Sequence, residues 1–138
     1  MTLLDAYALI AFVLGGPARV ETRALLREGD VAIPTANLAE AIDVTVRVYA
    51  LPMSRVIEQL DRLFEAALRE IPLDGPRARR TAEIRARHYH RKRRPISLGD
   101  SILLASASPG DRIATADPAV LAVAEAEGLE PLRLPGQG

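Results

Sequence analysis

The chain opens on Thr2-Leu3-Leu4-Asp5-Ala6-Tyr7-Ala8-Leu9, where an apolar strand runs straight into a carboxylate and then into a helical pattern. Consecutive apolar positions without alternation describe a strand buried on both faces, as in a parallel sheet covered by helices. Asp5 then sits where that strand ends. In open α/β sheets ligands bind in the crevice outside the carboxyl ends of the strands, which makes this acid a functional candidate.

The rest of the chain continues the alternation. Ala6 to Leu14 reads as a helix ended by Gly15-Gly16, and Pro17 opens the next one, to about Glu28. Val31-Ala32-Ile33 is a second strand closed by Pro34, and Thr35 is the expected N-cap of a helix through Leu38, Ile42, Val46 and Tyr49. After the break at Leu51-Pro52, Val56, Leu60, Leu63, Phe64 and Ala67 fall on one face of a further helix. Glu70-Ile71-Pro72-Leu73 is a third strand, and its proline assigns it to a sheet edge. An Arg-rich helix from Pro76 to about Tyr89 leads into a basic loop ending at Pro95, and Ser97 caps a short helix carrying Ile102 to Ala107. Arg112 to Thr115 and Glu130 to Leu134 complete the strands, with a helix from Pro118 to Glu127 between them.

This order predicts an α/β protein: a three-layer α/β/α domain over residues 1–134 with a central, mainly parallel five-stranded sheet, and a flexible tail over 135–138. The paired helices between the second and third strands leave simple alternation and offer a platform for self-association. A chain of 138 residues suits one domain, and the absence of cysteine excludes disulfides and thiolate metal sites. That absence also suits a reducing cytoplasm. The apolar run Ala8 to Leu14 lacks a basic leader and is too short to span a bilayer, so no membrane role is expected.

Net charge is zero, yet its distribution is uneven. Residues 77–94 carry nine Lys/Arg against one acid, Glu83, a local charge of +8 that the remainder offsets with −8. Such a strip is either a polyanion-binding face or a solvated helix face. His88 and His90 lie two apart, share no helix face, and are read as part of the strip rather than as metal ligands. Asp43, four residues before Arg47, is read as an intrahelical ion pair.

Four further acids stand out. Asp5 and Asp117 each follow a predicted strand, and Glu40 and Asp100 each lie on a helix at its apolar side. Every one has a structural alternative: Asp5 and Asp117 as helix N-caps, Asp100 as the partner of Ser97 in a capping box, Glu40 in an ion pair. If the first and fourth strands are neighbours where the winding reverses, all four acids reach one rim. Two carboxylates about 5 Å apart repel by roughly 3 kcal/mol at an effective dielectric of 20, and a divalent cation removes that repulsion. An all-oxygen donor set suits Mg²⁺ or Mn²⁺. Acid-held metal beside the basic loop Arg91-Lys92-Arg93-Arg94 points to phosphodiester hydrolysis, with the loop holding backbone phosphates. Aromatic residues make up only 4% of the chain, which argues against extensive base stacking.

On these residues the sequence resembles PIN-domain ribonucleases, in particular VapC-type toxins of type II toxin-antitoxin systems. The resemblance is carried by Leu3-Leu4-Asp5-Ala6-Tyr7-Ala8-Leu9, Asn37-Leu38-Ala39-Glu40, Ser97-Leu98-Gly99-Asp100-Ser101-Ile102 and Ile113-Ala114-Thr115-Ala116-Asp117, in that order over nearly the whole chain. It implies a Mg²⁺-dependent endoribonuclease, a homodimer, and a cognate antitoxin whose C-terminal segment lies over the active site. It also implies Asp5 and Asp100 as principal metal ligands, Glu40 and Asp117 completing the catalytic acidic set, and Thr115 orienting a carboxylate or water. Tyr7 departs from the pattern, since many relatives carry Ser or Thr there.

Two rivals are a PIN-like binding domain without activity and a Mg²⁺-binding receiver-type signalling domain. The receiver fold wants a lysine ending its last strand, and the only lysine here is Lys92 in the basic loop. Retention of all four acids argues against the silent domain. No Gly-x-Gly-x-x-Gly follows the first strand, which disfavours dinucleotide binding.

Overall fold

Five short strands form a single sheet in a computed structural model that describes residues 1–136. They are β1 (Thr2–Leu4), β2 (Val31–Pro34), β3 (Leu68–Ile71), β4 (Arg112–Thr115) and β5 (Glu130–Arg133), all parallel, in the order β3-β2-β1-β4-β5. The order reverses between β1 and β4, so the crevice between their carboxyl ends is the topological switch point.

Among the described residues, seven α-helices cover the two faces: α1 (Ala6–Leu14), α2 (Arg19–Glu28), α3 (Thr35–Asp43), α4 (Met53–Ala66), α5 (Gly75–His88), α6 (Leu98–Ala105) and α7 (Pro118–Ala126). Alternate strand residues go to opposite layers. Leu4, Val31, Ile33 and Ala114 pack under α1, α2 and α4, whereas Leu3, Ala32 and Ile113 pack under α5, α6 and α7. Leu3, Leu4, Ala32 and Ile113 have no exposed surface, which explains why β1 shows no polar alternation in sequence. The three-layer α/β/α architecture with a parallel five-stranded sheet is the expected one.

Local details differ from the expectations for physical reasons. The N-cap of α3 is Pro34, and the Thr35 hydroxyl instead accepts from the Leu73 backbone N–H at 3.3 Å, tying α3 to the chain after β3. The expected continuous helix to Tyr49 widens into a π-helical turn, Val44–Val48. There the Thr45 hydroxyl donates to the Ala41 and Ile42 carbonyls at 2.9 and 3.1 Å, competing for acceptors of the preceding turn. β3 begins and ends two residues before the expected positions, because Pro72 has no N–H for a ladder and Leu68 is the residue that pairs with Val31. It does lie at the sheet edge. Of the expected loose tail, residues 137 and 138 fall outside the described residues, and the Tyr7 hydroxyl donates to the Pro135 carbonyl at 2.6 Å.

Among the described residues, no helix is long and apolar enough to cross a membrane. The Asp43–Arg47 ion pair is present, with both guanidinium contacts at 2.9 Å. The basic segment is less uniform than its sequence suggests. Arg77 pairs with Asp74, Arg80 donates to the Ala107 carbonyl, Arg85 to the Ile96 carbonyl, and Arg87 pairs with Glu127. His88 is buried rather than part of the strip: Nε2 lies 3.0 Å from Glu127 and Nδ1 3.2 Å from the Arg94 guanidinium. Three of the nine cations, Arg80, Arg85 and Arg87, therefore fasten α5 to the segments at the ends of α6 and α7. Among the described residues, Arg79, Arg91, Lys92 and Arg93 have no acidic partner within salt-bridge distance.

Candidate metal and active site

The site is built from four places that are far apart in sequence. Asp5 leaves β1 as the N-cap of α1, its Oδ1 accepting from the Ala8 N–H at 2.9 Å. Asp117 leaves β4, which lies directly beside β1, and caps α7 by accepting from the Ala119 N–H at 2.9 Å. Asp100 stands in the first turn of α6, where a full capping box forms: Asp100 accepts from the Ser97 N–H at 2.8 Å and its own N–H donates to the Ser97 hydroxyl at 3.0 Å. Glu40 comes from α3, which follows β2 on the other side of β1.

All four line one cavity of about 330 Å³, together with Ala6, Tyr7, Asn37 and Ala116. Three of the acids thus do both things weighed from sequence. Each caps a helix with one oxygen or face and still lines the crevice. Glu40 lies differently from expectation: it is exposed at the rim, while Asn37 and Ala41 are the buried positions of α3.

The electrostatics record the crowding. Burial pushes the Asp5 carboxyl up to about 6, against the opposing pull of the Thr115 hydroxyl and the Ala8 N–H, and the charges of Asp100 and Glu40 push it further the same way. Glu40 is raised by partial burial and by Asp100 and Asp43. Asp100 is raised by burial, against its hydrogen bonds to Ser97, and by Asp117. Carboxylates that raise one another with no cation among them are the arrangement a bound metal relieves. Thr115 is fully buried; its hydroxyl accepts from the Asp117 N–H at 3.2 Å and also pulls the Asp5 carboxyl down.

Two residues have no role assigned from sequence. Asn37 is buried, donates its amide to the Gly99 carbonyl at 3.2 Å, and keeps a buried Oδ1 with no protein partner. Gly99 provides the seat for Glu40: a Cβ there would stand 3.3 Å from a Glu40 oxygen. Together they dock α3 against α6 and set the Glu40 and Asp100 carboxylates across one gap. The spacing of Asn37 and Glu40, three apart on one helix, was the available signal.

The donor set is all oxygen, and the orphaned Asn37 oxygen adds an uncharged acceptor beside it. That chemistry fits a hard divalent cation of the Mg²⁺ type, which keeps several waters and needs only one or two direct carboxylates. Among the described residues no three acidic side chains converge closely enough to hold an ion by themselves.

A parallel α/β/α sandwich with an acid-lined crevice at its switch point defines the class of protein. The family model described as PIN domain matches residues 2–126, and the chain belongs to that family. Solved structures sharing the fold include VapBC2 from Rickettsia felis bound to a DNA fragment from their promoter, with 14% identity over 97% of this chain and 98% of that one, at a TM-score of 0.70. FitAcB from Neisseria gonorrhoeae matches at 22% identity over 96% and 97%, with a TM-score of 0.64. A toxin-antitoxin complex from Klebsiella pneumoniae matches at 22% identity over 85% and 87%, with a TM-score of 0.57. No curated protein matches the chain.

Proposed function

We propose that this PIN domain is a metal-dependent endoribonuclease acting as the toxin of a toxin-antitoxin pair. The observation that carries the reading is the convergence of Asp5, Glu40, Asp100 and Asp117 on one cavity at the switch point, where burial and neighbouring carboxylates raise Asp5, Glu40 and Asp100. The fold shared with toxin-antitoxin structures supports the class.

Asp5 and Asp100, the two more buried acids, hold Mg²⁺ or Mn²⁺, and Glu40 and Asp117 complete the set from the rim. When bound, the ion supplies Lewis-acid polarisation of a phosphoryl oxygen and hydroxide near neutral pH. Thr115 keeps Asp5 and Asp117 oriented. The Glu40 carboxylate, raised from its ordinary value by partial burial and by Asp100 and Asp43, accepts the proton of the attacking water at the open side of the cavity. Arg91, Lys92, Arg93 and Arg94 hold substrate phosphates beside α6. Residues 1–134 act as one domain, as a homodimer in the cytoplasm, and a cognate antitoxin covers the cavity.

The test is incubation of the purified protein with total RNA, with and without Mg²⁺. Cleavage that requires Mg²⁺ and disappears in Asp100→Asn, with thermal stability retained, is the expected result. Equal cleavage by the variant removes the proposed site, and wild-type protein that binds RNA without cutting it favours a binding domain.

A further inference from the structure

Where α5 meets α6 lies a cavity of about 420 Å³ that the proposed chemistry does not use. Its walls are Ala82, Arg85 and Ala86 of α5, Tyr89 just after that helix, and Leu98 at the first position of α6. Tyr89 is 45% exposed and Leu98 is 58% exposed, an aromatic and an aliphatic surface both turned to solvent. The ring is held in place. Arg85 stacks its guanidinium 4.5 Å from the Tyr89 ring centroid, and its Nε is fixed by the Ile96 carbonyl at 3.4 Å. The location is informative: Tyr89 stands two residues before Arg91, and Leu98 two residues before Asp100. Along the chain, the aromatic slot therefore adjoins both the segment that leads into the basic loop and the first turn of the helix that carries a principal acid.

We propose that this slot is a nucleobase subsite for single-stranded RNA. A base of the bound strand lies against Tyr89 and Leu98, with Arg85 as a second π-stacking and cationic wall, while the backbone runs along Arg91, Lys92 and Arg93. Charge complementarity selects the occupant. The cations of residues 91–93 have no acidic partner among the described residues, and a positive groove with an aromatic face is how sequence-tolerant single-strand binding is built. One stacking position also suits a chain with few aromatic residues. The inference rests on the ribonuclease reading and adds to it where a substrate base is gripped.

The chain contains no tryptophan, so Tyr89→Trp places a single fluorescent reporter in the slot. The probe is a short fluorescein-labelled single-stranded RNA of mixed sequence, added to the full chain carrying Asp100→Asn so that it is bound and not cut. Binding followed by anisotropy, with quenching of the tryptophan at position 89 at the same RNA concentrations, is the expected result. Tyr89→Ala weakens that binding by about 5- to 150-fold, the range found for losing one stacked base, and Tyr89→Phe leaves it within about twofold. RNA that binds with unchanged tryptophan emission, or binds Tyr89→Ala as tightly as the parent, overturns the subsite and leaves the ribonuclease reading standing. Emission that changes with protein concentration in the absence of RNA assigns the slot to a second copy of the chain and also overturns it. Absence of any RNA binding overturns both readings together.

Discussion

Replacing Asp5 by Asn should make the metal-free protein more stable while destroying its activity. The folded-state Asp5 carboxyl lies near 6 against an ordinary value of 3.8, chiefly because burial disfavours its charge. The folded protein therefore binds this proton more tightly than the unfolded chain does. The Asp5 contribution to stability is most favourable below pH 3.8, declines as pH rises from 3.8 to about 6, and is constant above that. At about 1.4 kcal/mol per pH unit, the ionised side chain costs folding about 2–3 kcal/mol at pH 7. Asn is neutral and still accepts from the Ala8 N–H as an N-cap, so the substitution removes this cost and keeps the cap. The assay is thermal unfolding followed by circular dichroism in EDTA, from pH 3.5 to 8. Asp5→Asn should melt about 5–12 °C above wild type at pH 7, with the difference vanishing below pH 4. Saturating Mg²⁺ should raise the wild-type melting temperature and narrow the gap. A variant no more stable than wild type at pH 7 refutes the claim that Asp5 is held as an uncompensated buried charge.

Gly99→Ala places a methyl group 3.3 Å from the Glu40 carboxylate, so cleavage should fall at least tenfold with a melting temperature within a few degrees of wild type. Tyr7→Phe loses the hydrogen bond to the Pro135 carbonyl and should cost about 1 kcal/mol in denaturant unfolding, with faster hydrogen exchange after β5. Glu127 is held below the ordinary carboxylate range first by His88 and then by Arg87, so its stabilisation is present above pH 4.5 and lost as pH falls through the folded value. Glu127→Gln should therefore lower stability at pH 7, and the deficit should shrink as pH falls below 4.5, read by the same melting series. Neutralising Arg91, Lys92 and Arg93 together should reduce the slope of log affinity for RNA against log salt by about 2–3, and an unchanged slope assigns these residues to a solvated surface.

The layered fold was legible because its signal is local. Unbroken apolar residues in β1, proline and glycine at the helix boundaries, and acids at strand ends each follow from one segment's chemistry. Where neighbours decide, the sequence was less informative. Thr35 carries the side chain of an N-cap, but an N–H from beyond β3 claims its hydroxyl. Thr45 looks like an ordinary helical residue until its hydroxyl reaches back and opens the turn. His88 sits in a run of arginines and still becomes buried, because Glu127 at the end of α7 and Arg94 from the loop close over it. The candidate site divides the same way. The four acids were visible by position, whereas Asn37 and Gly99 become meaningful only once α3 and α6 are docked.

The proposed chemistry needs an ion held between β1 and α6, and crystals soaked in Mn²⁺ test that directly through anomalous scattering. The predicted result is a peak within coordination distance of both the Asp5 and Asp100 carboxylates, completed by waters and lost in Asp100→Asn. A crevice that stays empty at saturating Mn²⁺, or a peak held elsewhere on the molecule, would contradict it.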